Sequence, residues 1–464
     1  MVQSGSRIEG NLNWNGLQKP QFFVAVVAIL TGLFLSVMDG TVCNVALPAL
    51  AADLHISDSD SIWIVNSFQL VIVMLLLPFA SLGELYGHRK VYIYGLLIFI
   101  IGSLSCALSP SFEFLVVSRI LQGVGAAMEM SVSTSLIKLI YPKEQLGKGL
   151  ALNATIVALA LVIGPTITGA VLSFANWPWL FLINVPIGLI ALVLSHKSLP
   201  DNPTRIAGRK FDIKEAILNA LSFGLIIGSF EAISHGADKW IALSGLLLSI
   251  LVVTFYIKNQ QKKEFPMFPL DLMRNSVFSI SLCTSIISFA SQMVLMVGMP
   301  FLLTNTYHFD VSEIGLLMTV YPIVILFATP LSGQLINKVN PSILCSIGLV
   351  FMCISNFLLA SMPADEGFWD IAWKLALGGI GFGFFQSPNN HMLISSAPNH
   401  RAGAASGMLA LARLVGQTAG AACVALFLQS LGNIGPIRSM LLGGIFSIIA
   451  LLLSLYLVFR NRQK

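Results

Sequence analysis

Long apolar runs separated by short polar turns recur from one end of the chain to the other. A helix needs roughly 20 mostly apolar residues to cross a bilayer. Runs of that kind fall at about 22–46, 61–80, 91–108, 111–140, 148–174, 178–196, 213–234, 240–258, 276–304, 312–336, 341–361, 370–397, 402–430 and 435–459. The pattern predicts an all-α membrane protein with fourteen spans. Its faintest part is the pair at 213–234 and 240–258, which Glu231 and a short polar turn interrupt. The first run is long, opens after about 20 mostly polar residues and contains Asp39, so it reads as a retained helix rather than a cleaved leader.

Charge then sets the orientation. An even number of spans puts both termini on one side, and cytoplasmic loops carry the excess of Lys and Arg. With cytoplasmic termini, the inside segments hold 21 of the 26 Lys and Arg residues. The outside segments hold only Lys239, Lys374 and Arg438, and Arg119 and Arg413 fall within spans. One span more or fewer would scramble this asymmetry downstream. Only 10% of residues are charged and 56% are hydrophobic, whereas soluble domains average about 25% charged. Lipid is therefore the expected solvent for much of the surface. The net charge of +5 is spread over short loops without a continuous basic face, which argues against nucleic acid as a partner. All six cysteines lie inside apolar runs, without metal-ligand spacing, and read as small core residues.

The longest polar stretch between spans, 197–214, carries Pro200, Pro203 and five basic residues, and 258–275 is a second such segment. These divide the chain into an N-terminal six-helix half (1–200), a linker with two additional spans (201–274) and a C-terminal six-helix half (275–464). An internal repeat fits that division. An offset of 256 residues places Gly123 on Gly379, Gly125 on Gly381, Gly147 on Gly403, Gly164 on Gly420, Ser131 on Ser387 and Pro142 on Pro398. Repeated halves are typical of transporters that bind substrate between the repeats and rock around it.

Several strings carry a resemblance. The loop Ala80-Ser-Leu82-Gly-Glu84-Leu-Tyr-Gly87-His88-Arg89-Lys90 resembles the G-x-L-x-D-x-x-G-R-K loop of the major facilitator superfamily, with Ala and Glu in place of Gly and Asp. A degenerate copy reads Gly333-Gln-Leu335-Ile-Asn337-Lys338. Arg119-Ile-Leu-Gln122-Gly123-Val-Gly125-Ala-Ala127 resembles the same superfamily's R-x-x-Q-G-x-G-A-A, and Gly164-Pro165-Thr-Ile-Thr168-Gly169 its G-P-x-x-G-G antiporter motif, with Thr168 for one Gly. Asp39-Gly-Thr41-Val-Cys-Asn44-Val-Ala-Leu47-Pro48, Trp177-Pro-Trp179-Leu-Phe181-Leu-Ile-Asn184-Val-Pro186-Ile-Gly188 and Phe385-Gln386-Ser-Pro388-Asn389-Asn390 are similar to strings of the fourteen-helix drug:proton antiporters. The resemblance spans about 20–460. It implies a major-facilitator fold, proton coupling at Asp39, a relay role for Arg119, and a conformational latch at Glu84, Gly87, Arg89 and Lys90. An ordinary basic turn is the plainer reading of that loop.

Ionisable groups deep in a span are costly and mark function by default. Asp39, Arg119, Glu129 and Arg413 are the candidates, and pairing of the two acids with the two bases as structural ion pairs is the alternative. At 3.6 residues per turn, Gln122 and Glu129 share a stripe with Arg119 slightly off it, so this helix is expected to turn one polar face toward a central cavity. Glu129 is read as a second acid, carrying a proton or attracting a cationic substrate. The expected cavity residues are Asp39, Asn44, Gln122, Glu129, Gln386, Asn389, Asn390 and Arg413. Asp53, Asp58, Asp60, Glu113, Asp310 and Glu313 read as a solvated acidic face, and His55, His235 and His308 as loop positions. The 16 Met and 30 Phe residues suit a greasy cavity, and equally suit lipid-facing and packing surfaces.

No G-x-x-x-x-G-K-[ST], H-E-x-x-H or G-x-S-x-G string occurs, so neither ATP-driven transport nor an embedded enzyme is expected. The reading is a secondary transporter of the plasma membrane (the inner membrane of a Gram-negative cell). It is expected to work as a monomer without a cofactor, exchanging protons for small amphipathic or cationic compounds. An exporter of one metabolite, a lipid mover and a transport-dead sensor are the rivals.

Overall fold

The structure is a computed structural model describing residues 19–141, 146–200, 211–234, 239–261, 268–336, 338–363, 366–398 and 402–462. The first helices are α1 (Lys19–Asp53), the short α2 (Asp58–Ser61), α3 (Trp63–Tyr86), α4 (His88–Ala107), α5 (Phe112–Ile140) and α6 (Leu146–Phe174). They are followed by α7 (Pro178–Leu182), α8 (Asn184–Ser198), α9 (Ile213–Ser234), α10 (Lys239–Gln260) and the single turn α11 (Leu270–Met273). The last group is α12 (Ser276–Asn305), α13 (Val311–Leu335), α14 (Pro341–Ala360), α15 (Phe368–Ser395), α16 (Ala402–Leu431) and α17 (Gly435–Arg462). Every apolar run read from the sequence falls on helix, with the second and sixth broken at Ile62 and Ile183. Among the described residues, eleven helices are long and apolar enough to cross a membrane. The helices α9, α10 and α15 lie outside that set, and α15 carries Asp370, Lys374, Gln386, Asn389, Asn390 and His391 along its length.

Polar residues at the turns start the helices. The Ser111 hydroxyl accepts from the Phe114 N–H at α5, and Asn340 accepts from the Ser342 N–H at α14, satisfying donors that a helix start leaves open. At α13, Asp310 and Glu313 form a reciprocal capping box. Asp58 accepts from Asn305 at 2.7 Å, and Asp53 from the Trp177 indole at 2.6 Å. The acidic face expected to be merely solvated therefore contains caps and cross-links.

Two sets of helices share one pattern of neighbours. In the first, α5 packs on α3 and α4, and α1 on α6 and α8; in the second, α15 packs on α13 and α14, and α12 on α16 and α17. The glycine repeat is the physical cause. A Cβ at Gly123 would lie 2.8 Å from the Phe68 carbonyl of α3, and one at Gly379 would lie 2.6 Å from the Tyr321 carbonyl of α13. A Cβ at Gly125 would meet the Gly95 carbonyl at 2.7 Å, and one at Gly381 the Gly348 carbonyl at 2.7 Å. Small residues let these backbones close. His55 and His308, after α1 and α12, share the left-handed conformation (φ 54° and 55°), one that His adopts more readily than most residues. Pro142, His235, Asn337 and all of the polar stretches 201–210 and 262–267 lie outside the described residues. The helices α9 and α10 pack on each other, and α9 also lies against α3 and α16, bridging the two sets.

The outer surface is apolar: Phe174, Phe327, Leu251 and Leu452 are all exposed. Exposed Trp240 and Trp369 sit at helix starts, as aromatic residues do at a membrane–water boundary.

Candidate functional site

Five polar side chains from four helices meet inside the first set. Asp39 (α1), Ser103 (α4), Arg119 and Gln122 (α5) and Asn184 (α8) are all buried. Arg119 Nη1 donates to Asp39 Oδ2, forming an ion pair, and to Gln122 Oε1 at 2.5 Å. Arg119 Nε donates to the Ile64 carbonyl at 2.9 Å. Gln122 Nε2 donates to Asp39 Oδ1 at 2.9 Å and to Ser103 Oγ at 2.7 Å, and Asn184 Nδ2 donates to Asp39 Oδ1 at 2.8 Å. The guanidinium carbon sits 4.2 Å from the centroid of the Phe68 ring, within cation–π range. One carboxylate thus collects three donors, which is how a buried charge is compensated.

Glu129 lies two turns further along α5 and is fully buried. The Ser36 hydroxyl donates to its Oε2 at 3.0 Å, while Oε1 has no hydrogen-bond partner among the described residues. Tyr92 stands beside it, its hydroxyl donating to the carbonyls of Ala28 and Ile29. Among the described residues, Glu129 has no cationic partner.

A cavity of about 110 Å³ lies between the two helix sets. Its polar lining includes Ser36, Asn44, Gln69, Gln292, Gln386, Arg413 and Gln417, and its apolar lining includes Phe68, Phe289, Met293, Met296, Met318 and Phe382. Drug-sized ligands occupy pockets of about 300–1,000 Å³, so the helices are drawn in around the site. The two sets touch at one end of the cavity. There Thr166 and Thr319 share a hydrogen bond at 2.8 Å, Asn305 donates to Asp58, and a Cβ on Gly315 would lie 2.8 Å from the Gly169 Cα.

Several expectations need correction. Asn44, Gln386 and Arg413 line the cavity, whereas Asp39, Gln122, Glu129, Asn389 and Asn390 do not. The polar stripe of α5 faces α1 and α4, where Gln122 and Glu129 find side-chain partners, and among the described residues α5 presents only Met130 to the cavity. Asn389 is buried against α12, donating to the Ser281 carbonyl at 3.1 Å and Ser285 Oγ at 2.7 Å. Asp39 and Arg119 do form an ion pair, but Arg413 has no described ion pair or hydrogen bond. Cys283, expected in the core, is exposed.

The motif loops hold helices together. Gly87 has φ 108°, a conformation that favours glycine, at the tight turn from α3 into α4. Arg89, next to Lys90 in the first turn of α4, donates to the His196 carbonyl of α8 at 2.7 Å, a contact within the first set rather than across to the second. Glu84 lies near the C-terminal end of α3. In α6, a Cβ on Gly164 would collide with Thr41 of α1. Pro165 lines the cavity, and Gly169 meets Gly315 of the other set. Thr168, the departure from the antiporter motif, brings its hydroxyl within 3.1 Å of the Val42 carbonyl, adding a polar contact between α6 and α1. Sequence reasoning missed Asn184, Ser103, Gln292 and Gln417. Each is a polar residue inside an apolar run, and Asn184 also belongs to a recognised string, so that signal was available.

Comparison with known proteins agrees with this architecture. The Major Facilitator Superfamily model matches residues 29–279 and 280–464. The "Uncharacterized transporter YebQ" of Escherichia coli is 44% identical over 436 residues, covering 94% of this chain and 95% of that protein. The riboflavin transporter RibZ of Clostridioides difficile is 29% identical over 393 residues, covering 85% of each. Among solved structures, a POT family transporter in complex with 5-aminolevulinic acid superposes with a TM-score of 0.73 at 15% identity, covering 97% of this chain and 98% of that one.

Proposed function

The chain belongs to the Major Facilitator Superfamily of transporters, and from that premise we propose that it is a proton-coupled antiporter exporting small amphipathic compounds. The observation that carries this reading is the placement of two acids, Asp39 and Glu129, behind the α1 wall of a cavity shared by both helix sets. Ser36 lines the cavity and bonds Glu129, so its hydroxyl can pass a proton between them. An acid buried without a cation can be accommodated by carrying a proton. Protonating Asp39 removes the charge that holds Arg119, Gln122 and Asn184, which loosens α1 from α5 and α8. Proton uptake is thereby tied to movement of a helix that lines the substrate cavity.

In this reading the three helices outside the apolar eleven also span, giving fourteen spans with both termini cytoplasmic. The organisation is 1–200, 201–274 and 275–464, in a monomer of the plasma membrane powered by the proton gradient. The Asp58–Asn305 and Gly169–Gly315 contacts then close the external side. Glu84, Gly87, Arg89 and Lys90 set the cytoplasmic angle between α3, α4 and α8.

The test is dye accumulation by energised everted vesicles, with and without a protonophore, for the unaltered chain and for Asp39→Asn normalised to folded protein. Loss of accumulation in both perturbed cases is expected. Accumulation that ignores the protonophore would overturn proton coupling. A second reading, export of one metabolite, draws on the four Gln side chains that line the cavity and suit specific hydrogen bonding, and on the 29%-identical relative named for riboflavin transport. Accumulation of a single compound from a chemically broad panel would favour it.

A further inference from the structure

We propose that the central cavity takes an amphipathic organic anion: an apolar, preferably aromatic body bearing one acidic group that pairs with Arg413. This deepens the transport reading and rests on it. It also reverses the sign of the charge that the sequence suggested for the substrate.

Three observations carry it. Arg413 of α16 lines the cavity, and among the described residues it has neither an ion pair nor a hydrogen bond. No Asp or Glu is among the described residues lining the cavity. Asp39, which could have balanced Arg413, is already committed to Arg119, Gln122 and Asn184, and Glu129 lies behind Ser36. A guanidinium at membrane depth without a counter-charge is costly, and its planar fork of donors matches a carboxylate or a similar flat anion. The third observation is that Asn44 Oδ1 and Gln69 Oε1, on residues only 6% exposed, line the same cavity without hydrogen-bond partners among the described residues. They can serve the polar edge of the ligand, while Phe289, Met293, Met296 and Met318 offer a deformable apolar bed for its body. A cation placed there would meet a like charge and no acid.

The experiment compares two xanthene dyes of similar shape and opposite charge, fluorescein (anionic) and rhodamine 6G (cationic), binding to the purified full-length protein by fluorescence anisotropy. Fluorescein is expected to bind more tightly. Arg413→Gln should weaken it about 10- to 100-fold, as for loss of a charged hydrogen-bonded contact, and Arg413→Lys only a few-fold. Rhodamine 6G should bind Arg413→Gln as well as or better than the unaltered protein. Thermal melting of each variant separates misfolding from lost recognition, and Arg413→Lys provides a charge-retaining control. Tighter binding of rhodamine 6G, equal weakening of both dyes by Arg413→Gln, or binding of neither would overturn the proposal. Binding needs no gradient, so Arg413-dependent fluorescein binding without protonophore-sensitive transport would sink the antiport reading and leave this one standing. Protonophore-sensitive export of rhodamine 6G alone would do the reverse.

Discussion

Asp39→Asn removes one negative charge at nearly constant volume, and the surroundings of that carboxylate make its cost calculable. Asp39 receives donors from Arg119, Gln122 and Asn184, in a site where Asp39 is 2% exposed and Arg119 not at all. An asparagine keeps one acceptor and turns an N–H₂ group toward these donors, so at least one donor faces another donor. It also leaves the guanidinium buried without a counter-charge. Breaking a buried pair from one side costs about 3–5 kcal/mol. Arg119→Met strands the carboxylate instead and should cost a similar amount. The double variant Asp39→Asn/Arg119→Met removes both charges and keeps an acceptor for Gln122 and Asn184. Its loss should fall short of the sum by about 0.5–3 kcal/mol, the size of coupling found between residues of one network. Unfolding in detergent, followed as a double-mutant cycle, measures this. Additive losses, or single variants as stable as the unaltered protein, would refute the view that this pair holds α1 to α5. The same cost means that transport by Asp39→Asn must be expressed per folded molecule.

Three further outcomes follow from the geometry. Ser36→Ala removes the only described hydrogen bond from a side chain to the Glu129 carboxyl group; proton-coupled accumulation should fall several-fold while binding of a cavity ligand changes little, and unaltered coupling would remove Ser36 from the proton path. Gly315→Leu puts a side chain where even a Cβ would lie 2.8 Å from the Gly169 Cα; this end should stay open, read as faster thiol labelling of an introduced cysteine at Asn44, and unchanged labelling would refute the seal. Asp58→Cys with Asn305→Cys replaces the 2.7 Å cross-link between the sets with a bond that can be oxidised; transport should stop on oxidation and return on reduction, and transport that persists in the cross-linked form would show that these ends need not part.

Much of the architecture is legible in one dimension because lipid imposes it. A backbone crossing hydrocarbon must satisfy its own hydrogen bonds, so each apolar run became a helix, including the faint pair α9 and α10. The glycine offset was equally readable. Gly123 and Gly379, or Gly125 and Gly381, mark places where two backbones touch, and the same contact recurs in each helix set. The polar stripe of α5 was legible as a stripe, but its direction was not. Arg119, Gln122 and Glu129 share a face of the helix, yet nothing local says whether that face meets water or other helices. In the folded chain Asp39, Ser103 and Asn184 arrive from three other helices: Asp39 pairs with Arg119, Asp39 and Ser103 accept from Gln122, Asn184 donates to Asp39, and the cavity-facing side of α5 passes to Met130.

The sequence by itself thus determined which segments are helical, where their backbones approach, and that four ionisable groups lie at membrane depth. Only the tertiary structure decided which of those groups are paired. Pairing depends on which helices stand next to one another and how each is rotated about its axis: the rotations of α1 and α5 bring Asp39 to Arg119, and the separate rotation of α16 turns Arg413 to the cavity, without an ion pair or hydrogen bond among the described residues. The periodicity of one helix is silent about that rotation, because it is fixed by contacts between residues far apart in the chain.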